Sequence, residues 1–404
     1  MSGGVKAPER PGKALVQSLG ARGRDVRTGG QPLTARLEPE DVRATLARHT
    51  RDVETYLAAF FTTRLAAAEI APETYQLLDA VRRFTLARGE RLRATLVVTG
   101  YTCLAPEPDD DRLVPAAAAM ELLHAFRLVH DGDRDLARLG RPTLQQQFAA
   151  DLGHRFPTAE VERYGGSLAV LAGDLAAALA FDALSATRVE PARLLAAIRT
   201  LARVGVETGY GKAMDVMAEL DAPPDEGRLL RIHCYKTARY SVEGPLQIGA
   251  LLAGAEAAHL DALSAFAVPF GVACQIQDDV RRAFTSEDLA DTPVVGRWRL
   301  RKPNLLTVHG LRGPYAAQLR QILDEDTLDA ATLARARRYL RDGGSVAYAE
   351  ARIATLLAEA TAAIARLDAR PQAAAFLHGL IRLLMGRAAD GASAIATTKT
   401  GGSQ

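Results

Sequence analysis

The stretch from Ala116 to Thr143, AAAAMELLHAFRLVHDGDRDLARLGRPT, sets ionisable side chains inside a segment whose first half is apolar on nearly every side. Such a segment folds as a buried helix, not as an amphipathic surface one. Buried polar groups need partners or a purpose. Glu121, His124 and Asp131 lie at spacings of three and seven, so they share one face over about three turns, and that face ends at the acidic cluster Asp131, Asp133 and Asp135. Carboxylates gathered at the end of a buried helix repel one another unless a cation lies between them, and hard oxygen ligands of this kind suit Mg²⁺. Arg138 and Arg141 follow directly. Acids for a metal beside arginines for an anion are what a metal-bound diphosphate requires.

At 404 residues the length alone would suggest two or three domains. Helical periodicity, however, continues from about residue 40 to about 388 with no strand-rich block and no long linker, so the expectation is an all-α, single-domain fold spanning 37–388. Residues 1–36, rich in Gly, Arg and Pro without periodicity, and the Ala/Gly/Thr-rich tail 389–404 are expected to be disordered. A hydrophobic share of 48% supplies ample core, and a formal charge of +2 gives no reason to expect nucleic acid. Cys103, Cys234 and Cys274 are far apart in apolar stretches, which fits reduced core thiols in a cytoplasmic protein. No apolar run reads as long and uncharged enough for a membrane span, and MSGGVKAPERPGK lacks the apolar core of a signal peptide.

Glu38-Pro39-Glu40-Asp41 opens a helix running to about Ala68. A second, from about Pro72 to Arg88, ends at Gly89; the following Glu90-Arg91-Leu92-Arg93 reads, by itself, as a C-cap and a solvated charge cluster. The helix from about Pro157 to Ala183 holds Asp174 in an apolar run, which is costly unless that residue faces a polar cavity or a partner. GKAMDVMAEL sets Lys212, Asp215 and Glu219 at helical spacing, and Pro223-Pro224 breaks the chain before a helix with His233, Lys236, Thr237 and Arg239. In a last buried-looking helix, about Ser264 to Phe284, Gln275, Asp278 or Asp279, and Arg282 share one face. The basic run Arg297 to Lys302 follows, then amphipathic helices at about 313–324, 329–341, 344–366 and 371–388 without a clustered ionisable set.

From about Glu40 to Arg387 the chain resembles the trans-isoprenyl diphosphate synthases, the polyprenyl synthetase family. Six motifs agree in order and spacing: Gly89–Arg93, Glu121–Asp135, Gly140-Arg141-Pro142-Thr143, Gly173-Asp174-Leu175, Lys236-Thr237 and Gln275–Asp279. The resemblance implies a helical bundle around a central cavity, with two aspartate-rich motifs holding three Mg²⁺ ions and an allylic prenyl diphosphate. It assigns Asp131, Asp133, Asp135, Asp278 and Asp279 to metal. Asp131, Asp135, Asp278, Lys236 and Gln275 are the implied catalytic set, and Arg138, Lys236, Thr237, Lys302, Arg93 and His124 the implied diphosphate binders. Phe126, Asp174 and Cys274 are placed at the hydrocarbon pocket, and the family implies a homodimer.

The departures matter as much. The first motif reads Asp131-Gly132-Asp133-Arg134-Asp135 in place of Asp-Asp-x-x-Asp, and a loop about two residues short leaves either Asp133 or Asp135 as its last ligand. In the second, Arg282 stands where the last Asp should be. On the isopentenyl diphosphate side Glu90 replaces a phosphate-binding Lys, Leu139 an Arg, and Cys274 a Phe. Turning attraction into repulsion at about 4 Å changes an interaction by several kcal/mol even at an effective dielectric of about 20. Losses confined to the acceptor side favour a class I terpene synthase; the alternatives are a prenyltransferase, chain-elongating or using a non-isopentenyl acceptor, and a non-catalytic partner subunit. Arg127 is unusual in an apolar pocket, with nothing in the sequence to explain it. Lys212, where the family usually has Gln, is read as a surface residue before a cation-quenching base.

Overall fold

Segments rich in Ala and Leu become helices where side chains at their ends satisfy the first free backbone N–H groups. Thr143 and Gln146 cap each other reciprocally at 3.1 and 2.9 Å, Asp225 accepts from the Arg228 amide at 2.6 Å, and Asn304 pairs with Thr307 in a second such box. In the computed structural model, which describes residues 37–66, 72–87, 89–108, 110–131, 142–153, 156–220, 225–284, 302–325 and 329–397, there is no strand among the described residues. The elements are α1 Pro39–Ala66, α2 Pro72–Leu86, α3 Leu92–Thr102, α4 Val114–His130, α5 Leu144–Leu152, α6 Thr158–Ser185, α7 Pro191–Leu220 and α8 Glu226–His233. A π-helix, Cys234–Glu243, leads on to α9 Gly244–Ala253, α10 Ala257–Phe284, α11 Leu305–Gly310, α12 Ala316–Asp324, α13 Ala330–Asp342, α14 Ser345–Arg366 and α15 Pro371–Thr397.

The all-α expectation holds. Helix α4 runs along α6, with α1 and α3 on its other flanks, and Met120 and Leu122 on it are fully buried. Burying each such side chain contributes about 1.5–3 kcal/mol relative to leaving it in water. Helix α10 lies between α14 and the π-helix, and α7 packs on the π-helix from the other side. Two glycines let these backbones approach. A Cβ on Gly211 of α7 would stand 2.6 Å from the Lys236 amide nitrogen, and one on Gly271 of α10 2.5 Å from the Ala238 Cα. The π-helix is therefore clamped between α7 and α10, which fixes the direction of its polar side chains.

Three outcomes differ from the sequence reading, the first being that α10 begins at Ala257 and not at about Ser264. Helix α15 continues to Thr397, past the expected boundary at 388, while residues 1–36 and 398–404 lie outside the described residues. Two helices, α6 and α10, are long and apolar enough by length and composition to cross a membrane, contrary to expectation. Both pack within the bundle, with 44% and 50% of their most apolar windows buried. The sequence shows their apolarity; only the packing shows what covers it. The cysteines are free thiols, with burial pushing Cys103 up to about 12 and Cys234 to about 11.

Candidate active site

Where α4, α7, the π-helix and α10 converge they enclose a cavity of about 280 Å³. Each wall delivers charge. On α4, Asp131 caps the C-terminal end, and both of its carboxylate oxygens are taken: Arg127 Nη1 donates to Oδ2 at 2.5 Å and Lys212 Nζ, from α7, sits 2.7 Å from Oδ1. Burial alone would raise the Asp131 carboxyl, but the charges of Arg127 and Lys212 outweigh it and hold the group below its ordinary value.

The second wall centres on Asp215 of α7, which is buried. Lys236 Nζ from the π-helix donates to its Oδ2 at 2.5 Å, and Lys302 Nζ donates to the same oxygen at 3.0 Å. Two ammoniums thus share one carboxylate. Burial and the like charge of Lys302 hold the Lys236 ammonium below its ordinary value. Lys302 also lies 3.7 Å from Glu219 Oε1.

On the third wall Gln275 of α10 accepts from Thr237 Oγ1 at 2.6 Å and donates to Asp279 Oδ1 at 2.9 Å. His233 Nε2 lies 3.4 Å from the other Asp279 oxygen. Burial is the dominant influence on Asp279 and pushes its carboxyl up to about 6, partly opposed by Arg282. Asp278, beside it, pairs with Arg281. Because the folded chain prefers Asp279 protonated, stability is fully present below the ordinary carboxylate range and is lost as pH rises toward about 6. Asp279→Asn should therefore melt above the wild type at neutral pH, with the gap closing in acid. Equal melting temperatures at neutral pH would mean that the carboxylate is solvated.

At the upper end, Arg93 Nη2 donates to Ser241 Oγ at 2.9 Å, and its guanidinium stands 4.9 Å from the Tyr240 ring centroid. His124 Nδ1 meets the Tyr240 hydroxyl at 2.6 Å, and burial, reinforced by Arg93 and Arg127, keeps that imidazole neutral. Glu121, expected on the face shared with His124 and Asp131, turns instead to Arg91 at 3.2 Å and to the Ala94 amide at 3.3 Å. Arg91 holds this place with φ 46°, the only positive φ outside glycine among the described residues.

The fold thus gathers Arg93, Asp131, Lys236, Thr237, Gln275, Asp278, Asp279 and Lys302 around one cavity, with His124 one layer behind. It does not bring the expected hydrocarbon residues there. Phe126 packs its ring 4.7 Å from that of His130, and Asp174 lies with a 61% exposed side chain 3.3 Å from the same histidine. Cys274 packs into the apolar cluster of α3, α9, α10 and α15. Glu90 is exposed and borders a separate groove with Arg43, Leu46 and Leu383, so the repulsion expected from it is not in this cavity. Asp133, Asp135, Arg138 and Leu139 lie outside the described residues. Sequence reasoning left Asp215, Glu219 and Arg127 without roles and read Lys212 as a surface residue before a cation-quenching base, although the spacing of Lys212, Asp215 and Glu219 marks one helix face.

Carboxylate oxygens suit a divalent ion such as Mg²⁺. The α10 wall supplies two candidate ligands, Asp278 and Asp279, which both line the cavity; Asp279 meets a Gln275 amide and the His233 imidazole. The α4 wall does not offer Asp131 in the same way, since both oxygens already receive fixed cations. Among the described residues no group of three His, Cys, Asp or Glu side chains converges on a point.

The chain is 31% identical over 239 residues to the short chain isoprenyl diphosphate synthase of Methanocaldococcus jannaschii, covering 59% of this chain and 67% of that one. It is 28% identical over 290 residues to the geranylfarnesyl diphosphate synthase of Aeropyrum pernix, covering 70% of this chain and 85% of that one. The crystal structure of a Corynebacterium glutamicum geranylgeranyl pyrophosphate synthase complexed with isoprenyl diphosphate and magnesium superposes with a TM-score of 0.71 at 24% identity, over 86% of this chain and 98% of that one. A Caulobacter crescentus polyprenyl synthase complexed with calcium and isoprenyl diphosphate gives a TM-score of 0.66 at 22% identity, over 88% and 99% of the two chains. At these identities the two structures establish the shared fold. Residues 75–340 match the model of the polyprenyl synthetases, and the chain belongs to that family.

Proposed function

We propose that this chain is a divalent-metal-dependent prenyltransferase that binds an allylic prenyl diphosphate and transfers its prenyl group to an isoprenoid acceptor. The observation that carries this reading is the pairing of Lys236 and Lys302 on one carboxylate, opposite the Asp278–Asp279 wall, in a family whose relatives make isoprenyl diphosphates. Both ammoniums line the cavity and take up phosphate oxygens through charge-assisted hydrogen bonds. A divalent ion held by Asp278 and Asp279 would supply further charge to the leaving pyrophosphate. Thr237 and Gln275 hold Asp279 in place. Arg93, anchored on Ser241, offers a guanidinium to an acceptor diphosphate at the far end. Glu90, one of the three acceptor-side changes that favoured a cyclase, stands outside the cavity and lends that reading no support.

The decisive experiment incubates purified protein and Mg²⁺ with geranyl, farnesyl and geranylgeranyl diphosphates, each with and without isopentenyl diphosphate. Elongated diphosphates appearing only with isopentenyl diphosphate are expected. Hydrocarbons formed without it would establish a cyclase, and a folded protein inert to every combination would establish a non-catalytic subunit.

A homodimer is part of the same proposal. Helices α6 and α7 expose Val170, Leu171, Val206, Tyr210 and Met217, each more than half in solvent, and large apolar side chains left uncovered in this number suit an interaction face. Sedimentation at micromolar concentration should give twice the chain mass; a clean monomer would end this part of the proposal.

A further inference from the structure

The α4 wall departs from the metal site that its motif implies, and the departure has its own chemistry. Lys212 and Arg127 approach Asp131 from two helices, and each takes a different carboxylate oxygen. A divalent ion binding there would have to displace one of them. Gly132 and Arg282 remove a carboxylate from each acidic motif, and Arg282 adds a positive charge to the cavity. The described lining consequently carries six basic side chains, Arg93, Arg127, Lys212, Lys236, Arg282 and Lys302, against five acidic ones, Asp131, Asp215, Glu219, Asp278 and Asp279. A metal-free cavity of this composition attracts an anion.

We propose that Lys212, held by Asp131 with Arg127, is a built-in cation that replaces a divalent ion at the first acidic wall and binds the substrate's diphosphate directly. Asp131 then acts as a positioning residue for that ammonium and not as a metal ligand. Three features support this. The Lys212 side chain is 39% exposed and borders the cavity, so its remaining donors can reach an anion. An ammonium has three donors, and one carboxylate oxygen takes only one of them. Lys212 follows Gly211, whose missing side chain lets α7 press on the π-helix at Lys236, so the two lysines belong to neighbouring walls in tight contact. The inference rests on reading this cavity as a diphosphate site.

Its test is calorimetric titration of the full-length protein with inorganic pyrophosphate, once in EDTA and once in Mg²⁺. The wild type should bind in both. Lys212→Gln should lose about ten- to a hundredfold in EDTA, the scale of one charge-assisted bond, and recover most of that in Mg²⁺, because the freed Asp131 can then ligate an ion. Lys212→Arg should stay near the wild type in EDTA, and melting curves show whether each variant is folded. Wild-type binding that appears only with Mg²⁺, or a Lys212→Gln loss of equal size in both buffers, would overturn the built-in cation while leaving the diphosphate site standing. Absence of wild-type binding in both buffers would overturn the diphosphate reading itself, and this inference with it.

Discussion

Asp278→Ala should lower the release of pyrophosphate from an allylic prenyl diphosphate by about a hundredfold or more while the protein stays folded. The side chain is 38% exposed and its partner Arg281 62% exposed, so the pair adds little to stability, since ion pairs in solvent contribute about 0–1 kcal/mol. Alanine also suits a helix interior better than aspartate does. What is lost is a hard oxygen beside Asp279, on the wall that supplies two candidate ligands for a divalent ion. Losing a group aimed at developing charge costs about a hundred- to a thousandfold in rate. Pyrophosphate release and the melting curve should be measured together. Near-normal release from a folded Asp278→Ala would remove α10 from the chemistry altogether.

Asp215→Ala should have the largest effect on stability, about 3–5 kcal/mol, the usual consequence of removing one partner from a buried charge pair. Asp215 is 7% exposed, while Lys236 and Lys302 are 18% and 21% exposed, and the variant leaves two like charges facing each other with no shared anion. Both ammoniums would then titrate below their unfolded value. A depressed lysine penalises folding while the unfolded chain is charged, so the gap to the wild type should narrow as pH rises toward about 10. Added pyrophosphate should narrow it too, by taking the place of the carboxylate. Urea unfolding across pH, with and without pyrophosphate, measures both effects. A gap that ignores pH and anion would mean that Asp215 matters through packing and not through charge.

The helices were legible because their signals are local. Apolar runs and breakers announce α4 and α6 within a few residues of their ends, whereas α10 begins seven residues before the start read from its pattern. Asp131, Lys236 and Asp278 were legible too, since charge in an apolar helix stands out and motif order adds register. The errors share one cause: periodicity shows that a helix is apolar without showing which side is covered. Asp174 was therefore expected at a cavity, yet it sits on the outer side of α6 next to His130. Lys212 was expected at the surface because Asp131, its partner 2.7 Å away, is on another helix. Such a pair exists only once the chain has closed, and no window of sequence contains it. Glu90 misled for a related reason: its neighbour Arg91 takes a left-handed backbone conformation to reach Glu121, and Glu90 is left facing outward.

The π-helix gives the site a particular kind of tolerance. Its wider turn places Lys236, Thr237, Tyr240 and Ser241 on the cavity side together, and Gly211 and Gly271 hold it on both flanks. Such a turn holds one residue more than the α-helix it interrupts. Deleting that residue would restore the narrower winding and swing the following side chains by about 100°, carrying Tyr240 and Ser241 away from His124 and Arg93. Single side chains on the π-helix can therefore be exchanged while the winding that aims the others is kept. Insertions and deletions inside this element would dismantle every contact at once, so a change in its length should cost far more activity than any single exchange of a side chain.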